Sequence, residues 1–311
     1  YIKMEQESRD SLILLVATDK LNEWLTDANK RCELFSPRYY PTVIPPLRWK
    51  SPVTGGYYTT KNYLVKEVPQ AYIEELRHHE MPMVYRALNA MQETPWRINR
   101  RLYGIVSYLW DKGERIGELP PRENTPLPAL PKDFETNEKS KRAWKRKAQR
   151  IHEENRQYES KRLALAQKLI VAEMFHEEPT IYFPHALDWR GRAYPIPAGL
   201  NPQGDDVARS MLELAEGKPL GKRGLFWLGV HGANLYGFDK ASLEARYGWV
   251  IVNEELILKS AQKPYDEDFW TKADKPFQFL AFCMEWNAMK LSGAGEQYVS
   301  HLPVQVDGSN N

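Results

Sequence analysis

The sequence predicts a mainly helical α+β protein. Apolar residues recur at helical spacing over long stretches of the first two thirds, separated by proline-rich breaks. The last third is crowded with Pro, Gly and aromatic residues, as in "PTIYFPHALDWRGRAYPIPAGLNPQGDD", which reads as short strands and loops between helices. The chain then ends on "HLPVQVDGSNN", a short apolar strand followed by Asp-Gly. At 311 residues and 42% hydrophobic it can bury a substantial core.

Residues 8–35 read as an amphipathic helix carrying Leu12, Leu14, Leu15, Leu21, Trp24 and Leu25. "SPRYYPTVIPPLRW" forbids helix through its prolines, and Gly55-Gly56 suggests the turn of a hairpin. Helix resumes at Met81 with Val84, Leu88 and Met91 on one face and stops near Glu93. Thr94 and Pro95 are the expected start of the next helix, whose stripe is Ile98, Leu102, Ile105, Val106 and Leu109. Gly113 and "ELPPRENTPLPALPKD" make a long surface connection to one helix over about 140–175. Further helices are expected at about 205–216, 221–236 and 277–290, with "LPVQV" as the closing strand.

The formal charge of +2 is too mild to name a partner, but its distribution is uneven. Residues 139–168 hold eleven Lys and Arg against three Glu, a net +8 that leaves −6 for the remainder. Such a segment can face a polyanion, or be a solvated helix that balances acidic neighbours. Two distant cysteines, Cys32 and Cys283, offer neither a metal-ligand spacing nor a disulfide framework. No apolar run reaches the ~18 residues of a membrane span.

Three places hold candidate chemistry. Asp307 and Gly308 follow Val304–Val306, so they form either a reversing turn or a strand end that holds a carboxylate for a divalent ion. In "DWRGRAYP", Arg190 and Arg192 flank Gly191, and Asp188 can pin one of them. The triplet suits a phosphate backbone, although most such triplets are plain surface loops. In "HGANLYGFDK", His231 shares a helix with Trp227, Leu228 and Leu235, where core histidines are commoner than ligands. Lys240, beside Asp239 and beyond the helix end, can reach a triphosphate as a point charge.

In their order these blocks, with "FLAFCMEW" and "HLPVQVDGS", resemble the single-subunit DNA-directed RNA polymerases of bacteriophages, whose mitochondrial counterparts are close relatives. "SPRYYPTVIPPLRWKSPVTGGYYT" and "MPMVYRALNAMQETPWRIN" resemble the same family upstream. The likeness spans almost the whole chain except the connection near 115–135, and the "HGAN" form favours the phage branch. It implies a right-hand polymerase fold: the end of an N-terminal domain over 1–75, a thumb-like helical region with the basic helix over 76–178, and the first part of a palm over 179–311.

By that resemblance Asp307 matches the first palm aspartate, a ligand to two catalytic Mg²⁺ ions, and Gly308 matches a backbone ligand. Asp239 and Lys240 match the pair near the incoming nucleotide's phosphates. Arg190 and Arg192 fall in the motif that contacts template and hybrid, and Arg209 lies at a basic position along the hybrid. The implied partners are a double-stranded DNA template with its promoter, nascent RNA and ribonucleoside triphosphates. A monomer in the cytoplasm of a bacterial host is expected, with no membrane. A chain that begins on Tyr1 and ends in mid-motif is read as an internal piece, inactive alone. A DNA polymerase with a related palm would share the aspartate but not the "DWRGR" and "HGAN" blocks. A non-catalytic nucleic-acid-binding module would need no metal.

Overall fold

The computed structural model describes residues 2–6, 13–18 and 37–305, in two compact units that divide at Arg38 and Tyr39. In the first unit, β1 (Ile2–Gln6) and β2 (Ile13–Ala17) form an antiparallel pair with Ile2 opposite Ala17. This corrects the helix expected over 8–35 at Ile13–Ala17; the other residues of that range, Thr18 excepted, lie outside the described ones. A five-residue apolar run such as "ILLVA" fits a strand or a helix equally by periodicity, and a pairing partner decides it.

The second unit opens with a hairpin of β3 (Leu47–Ser51) and β4 (Thr54–Gly56). Its turn is Pro52-Val53, not the expected Gly55-Gly56, which lie in and at the end of β4. The glycine at 55 answers to packing. A Cβ there would fall 2.2 Å from the Trp49 ring. Trp49 is buried and fixed from three sides: its N–H donates to Asn89 Oδ1 at 2.7 Å, Asn89 Nδ2 donates to its carbonyl at 3.1 Å, and its Nε1 donates to the His185 carbonyl at 2.8 Å. Around it sit Leu64, Ile73 and Leu88, the last two from α1 (Gln70–Leu76) and α2 (Pro82–Gln92).

Thr94 and Pro95 do not start the next helix. The Thr94 hydroxyl donates back to the Ala90 carbonyl at 3.0 Å, closing α2, and Pro95 leads into β5 (Trp96–Ile98). The N-cap is Asn99, whose Oδ1 accepts from the Leu102 N–H at 3.1 Å and starts α3 (Arg100–Lys112). The stripe of Leu102, Ile105, Val106 and Leu109 is buried as the spacing predicts, and Gly113 closes the helix in the left-handed region.

The basic segment is one 38-residue helix, α4 (Glu138–Phe175), capped by the Asn137 side chain. The proline-rich connection before it lies along this helix as a strap, with Leu119 buried. Asn155 grips Thr125 by both backbone groups, accepting from its N–H at 2.8 Å and donating to its carbonyl at 2.9 Å. Trp144 Nε1 donates to the Pro128 carbonyl at 2.8 Å, and Arg162 Nη1 to that of Pro121 at 3.0 Å.

Next come the hairpin β6 (His185–Leu187) and β7 (Ala193–Pro195), and the short helix α5 (Asp206–Ser210). The helix expected to run on to 216 ends at Ser210, because β8 (Leu212–Leu214) pairs antiparallel with β5. This is tertiary pairing overriding a locally helical sequence. After β9 (Lys218–Pro219) follow α6 (Gly221–Tyr236), α7 (Leu243–Val252), α8 (Glu254–Gln262) and α9 (Pro276–Ser292). The helix α9 is buried nearly all round, and its Phe277, Phe279, Phe282 and Trp286 form the centre of the larger core. Two strand residues, β10 (Val299–Ser300), pair with β9. The closing strand expected over 302–306 is not formed at Leu302–Gln305, which run without a ladder partner among the described residues. No helix is long and apolar enough to cross a membrane among the described residues.

Candidate active-site cleft

Four chain segments meet at a cleft of about 600 Å³ lined by Arg209, His231, Asn234, Asp239, Arg246 and Gln305, with Pro202 and Leu235 at its edge. Helix α5 supplies one wall. Asp205 caps it, its Oδ1 accepting from the Ala208 N–H at 3.0 Å, and also pairs with the Lys168 ammonium of α4. Asp206 is turned inward and buried, and it caps α9 instead: its carboxylate accepts from the N–H groups of Phe277 at 2.9 Å and Gln278 at 3.0 Å. Burial pushes this carboxyl above its ordinary value, against the pull of those donors.

The second wall is α6. Its "HGAN" segment works through shape as much as chemistry: a Cβ on Gly232 would fall 2.3 Å from the Phe282 ring, so only glycine lets α6 and α9 close. That contact holds His231 in a buried position, and burial lowers its pKa to about 4, so the ring is neutral at pH 7. Asn234 accepts from Arg246 Nη1 at 3.0 Å, while Arg246 Nε donates to the Ala241 carbonyl at 2.9 Å. Arg246 thus clamps the loop after α6 against the helix it leaves. On that loop Lys240 Nζ donates to Asp239 Oδ2 at 3.0 Å, which holds the Asp239 carboxyl below its usual value. The Lys240 side chain is 91% exposed, so its charge is available to a ligand arriving from solvent.

The last wall is the extended segment at Gln305. Arg209 Nη1 donates to Gln305 Oε1 at 2.7 Å, while Arg209 Nε is buried with no hydrogen-bond partner among the described residues. Asp307 and Gly308, two and three residues further on, lie outside the described residues.

Of the residues singled out in the sequence, the structure brings Arg209, His231 and Asp239 into one cleft with Lys240 beside it. Arg190 and Arg192 do not line it. They sit at the tip of the β6–β7 hairpin, where Asp188 accepts from Arg190 Nε and Nη2 at 2.9 and 2.8 Å and from the Arg192 N–H at 2.9 Å. Trp189 there is 74% exposed, with the Arg190 guanidinium over its ring. Gln203 Nε2 donates to the Ala193 carbonyl at 3.1 Å, tying the hairpin to the loop that bears Pro202. Sequence reasoning missed Arg246, which no motif marks, and Asp206, whose place beside the capping Asp205 was its only signal.

Comparison with known proteins identifies the chain. The DNA-directed RNA polymerase N-terminal model matches residues 2–93, and the DNA-dependent RNA polymerase model matches residues 218–311. The DNA-directed RNA polymerase of Enterobacteria phage K11 is 37% identical over 279 residues, covering 88% of this chain and 30% of the relative. T7 RNA polymerase of Escherichia phage T7 is 36% identical over 279 residues, covering 88% and 31%. The mitochondrial DNA-directed RNA polymerase of Schizosaccharomyces pombe is 36% identical over 282 residues, covering 88% and 24%. The chain therefore spans about a third or less of the length of these relatives. With both family segments present in order, and with this identity across nearly nine tenths of its length, the chain belongs to the family of single-subunit DNA-directed RNA polymerases found in phages and mitochondria.

Proposed function

We propose that this chain forms part of a template-directed RNA polymerase that transfers a ribonucleoside monophosphate from its triphosphate to an RNA 3′-hydroxyl, releasing pyrophosphate. The observation that carries it is the cleft in which Arg209, Asp239 and Gln305 converge, with Asp307 two residues beyond Gln305 in sequence. In this reading residues 179–311 are the first part of the palm, 76–178 the thumb-like region and 1–75 the end of an N-terminal domain.

The donor set suits a hard cation shared with substrate. Among the described residues no three His, Cys, Asp or Glu side chains form a cage. An ion would therefore depend on one or two carboxylates plus substrate phosphates, the manner in which Mg²⁺ is usually held. Asp307 would hold it, with the Gly308 carbonyl. When bound, such an ion supplies charge neutralisation at the transferring phosphoryl group.

The other roles fall to side chains. Lys240 meets the triphosphate as an exposed point charge, and Asp239 keeps it at the cleft mouth. Arg246 holds that loop in place through Asn234 and Ala241. Position and charge supply the catalysis, since phosphoryl transfer asks for little covalent work. Arg190 and Arg192, beside the exposed Trp189, present cations and a flat ring to the template strand and hybrid. Arg209 adds its charge where the hybrid would pass, and the exposed face of α4 meets the hybrid's phosphates.

The partners are thus a promoter-bearing DNA template, nascent RNA and ribonucleoside triphosphates, with the enzyme acting as a monomer. The "HGAN" form supports a phage-type enzyme working in a bacterial host's cytoplasm, in preference to a mitochondrial one. One candidate metal carboxylate in 311 residues does not make a two-metal site, so these residues by themselves are not expected to polymerise.

The test is Asp307→Asn in the polymerase that carries this chain. The expected result is a loss of several orders of magnitude in elongation rate with template binding retained. Near-normal turnover would refute the assignment.

A further inference from the structure

Lys66 touches both strands of the hairpin that carries Arg190 and Arg192. Residues 64–66 run parallel to β6, with Val65 opposite Leu187. The Leu187 N–H donates to the Leu64 carbonyl at 2.7 Å, and the Lys66 N–H to the Leu187 carbonyl at 2.9 Å. The Lys66 side chain then reaches β7, where its Nζ donates to the Pro195 carbonyl at 2.9 Å. Leu187 is the last paired residue of β6 before the tip, and Pro195 closes β7 at the base, so Lys66 runs diagonally across the stem. The position is costly. Lys66 is half-buried, and burial lowers its pKa because the ammonium has lost water. Glu67, the next residue, is held at φ 56°, a region that strains a residue other than glycine.

We propose that Lys66 is a positioning residue for Arg190 and Arg192, a diagonal brace that fixes where the hairpin tip points on the RNA–DNA hybrid. The proposal rests on the polymerase reading above. Three features carry it. The stem is short: His185 pairs with Pro195, Ala186 with Tyr194 and Leu187 with Ala193, and the tip follows at once. A two-stranded ribbon of that length is marginal alone and twists easily. Within the tip, Asp188 accepts from Arg190 and from the Arg192 N–H, and its own N–H donates to the Arg192 carbonyl at 2.9 Å. Those contacts set the loop's shape and leave its direction to the stem. The base of the stem is fastened to the core at His185, whose carbonyl accepts from Trp49 Nε1 and whose N–H donates to Gln92 Oε1 at 3.4 Å. Lys66 adds the tie that opposes sliding of β7 along β6, since a diagonal must stretch when two strands shear while their rungs merely tilt. Finally, the core does not demand the cost. Leu64 and Val65 already supply the buried side chains of this segment, and a strained residue beside a half-buried charge marks a constraint kept for function. Lys66 acts through the two guanidinium groups and meets no phosphate itself.

The test follows the lifetime of a halted elongation complex on an RNA–DNA scaffold, in the polymerase that carries this chain. Lys66→Met keeps an apolar side chain and removes the ammonium. It should shorten the lifetime about two- to tenfold, the range that one hydrogen bond spans. The same substitution in an Arg190→Ala, Arg192→Ala background should change nothing further, because no tip cation remains to be aimed. General loosening of the fold would instead cost both backgrounds alike. Should Lys66→Met fold poorly, Lys66→Gln, one bond shorter and uncharged, takes its place with the same outcomes expected. An unchanged lifetime in the Lys66 variant, or an equal loss in both backgrounds, would overturn the brace. The variant lacking both arginines separates the two readings. If it shortens the lifetime while Lys66→Met does not, only the brace falls. If it leaves the lifetime at the wild-type value, the tip does not hold the hybrid, and the reading of these arginines falls.

Discussion

Lys168, the last cation of the basic segment, does not face solvent: it is buried and ion-paired with Asp205, the residue that caps α5. The pair fastens the long basic helix α4 to the short helix that forms a wall of the cleft. Lys168→Met should therefore leave the Asp205 carboxylate short of its cation and cost roughly 2 kcal/mol, a figure kept below that of fully buried pairs because Asp205 is partly exposed. Urea unfolding checks this, with Lys161→Met, exposed on the same helix, as a control expected to change little. Equal midpoints for the two variants would show that the pair contributes nothing.

His231 sets a pH dependence whose sign follows from burial. Its folded-state pKa of about 4 lies below the unfolded value near 6.5, so the unfolded chain binds the extra proton between those limits. Stability from this site is complete above pH 6.5 and is lost as pH falls towards 4, about 3 kcal/mol in all. His231→Gln should flatten the difference in unfolding free energy between pH 7 and pH 4.5 by most of that amount. A variant as acid-sensitive as the wild type would place the titration elsewhere.

Lys240 and Arg192 should fail in different ways. Lys240→Ala removes an exposed charge at the cleft mouth and should raise the KM for nucleotide with little change in kcat. Arg192→Ala should weaken retention of the RNA–DNA hybrid, with a salt dependence shallower by about one phosphate contact. Steady-state kinetics and a salt titration of complex lifetime distinguish them. A kcat defect in Lys240→Ala would put that ammonium in the transition state instead.

The helical half of the fold was legible because its signals are local. The stripe from Leu102 to Leu109, the stop at Gly113 and the long basic helix over about 140–175 were readable from local spacing and composition, although the caps Asn99 and Asn137 were not. Several of the errors share one cause, a partner outside the segment being read. Ile13–Ala17 is a strand because of Ile2–Gln6, and Leu212–Leu214 is one because of Trp96–Ile98. Gly55 mimicked a turn residue while serving Trp49. At the cleft, Asp239 and Lys240 were visible as a charged pair after a helix end. Arg246 and Asp206 were not, because a clamp and a cap on a distant helix exist only once α5, α6 and α9 have met.

The strap along α4 has a mechanical meaning. A helix of 38 residues is about 57 Å long and bends readily if unsupported. Grips at Trp144, Asn155 and Arg162 turn it into a laminated beam, two layers that cannot slide past each other without breaking hydrogen bonds. At Lys168 the beam is bolted to α5, and it continues only two turns further, to Phe175. A load applied near Glu138 is thus delivered as torque at the root, on the helix that carries Arg209.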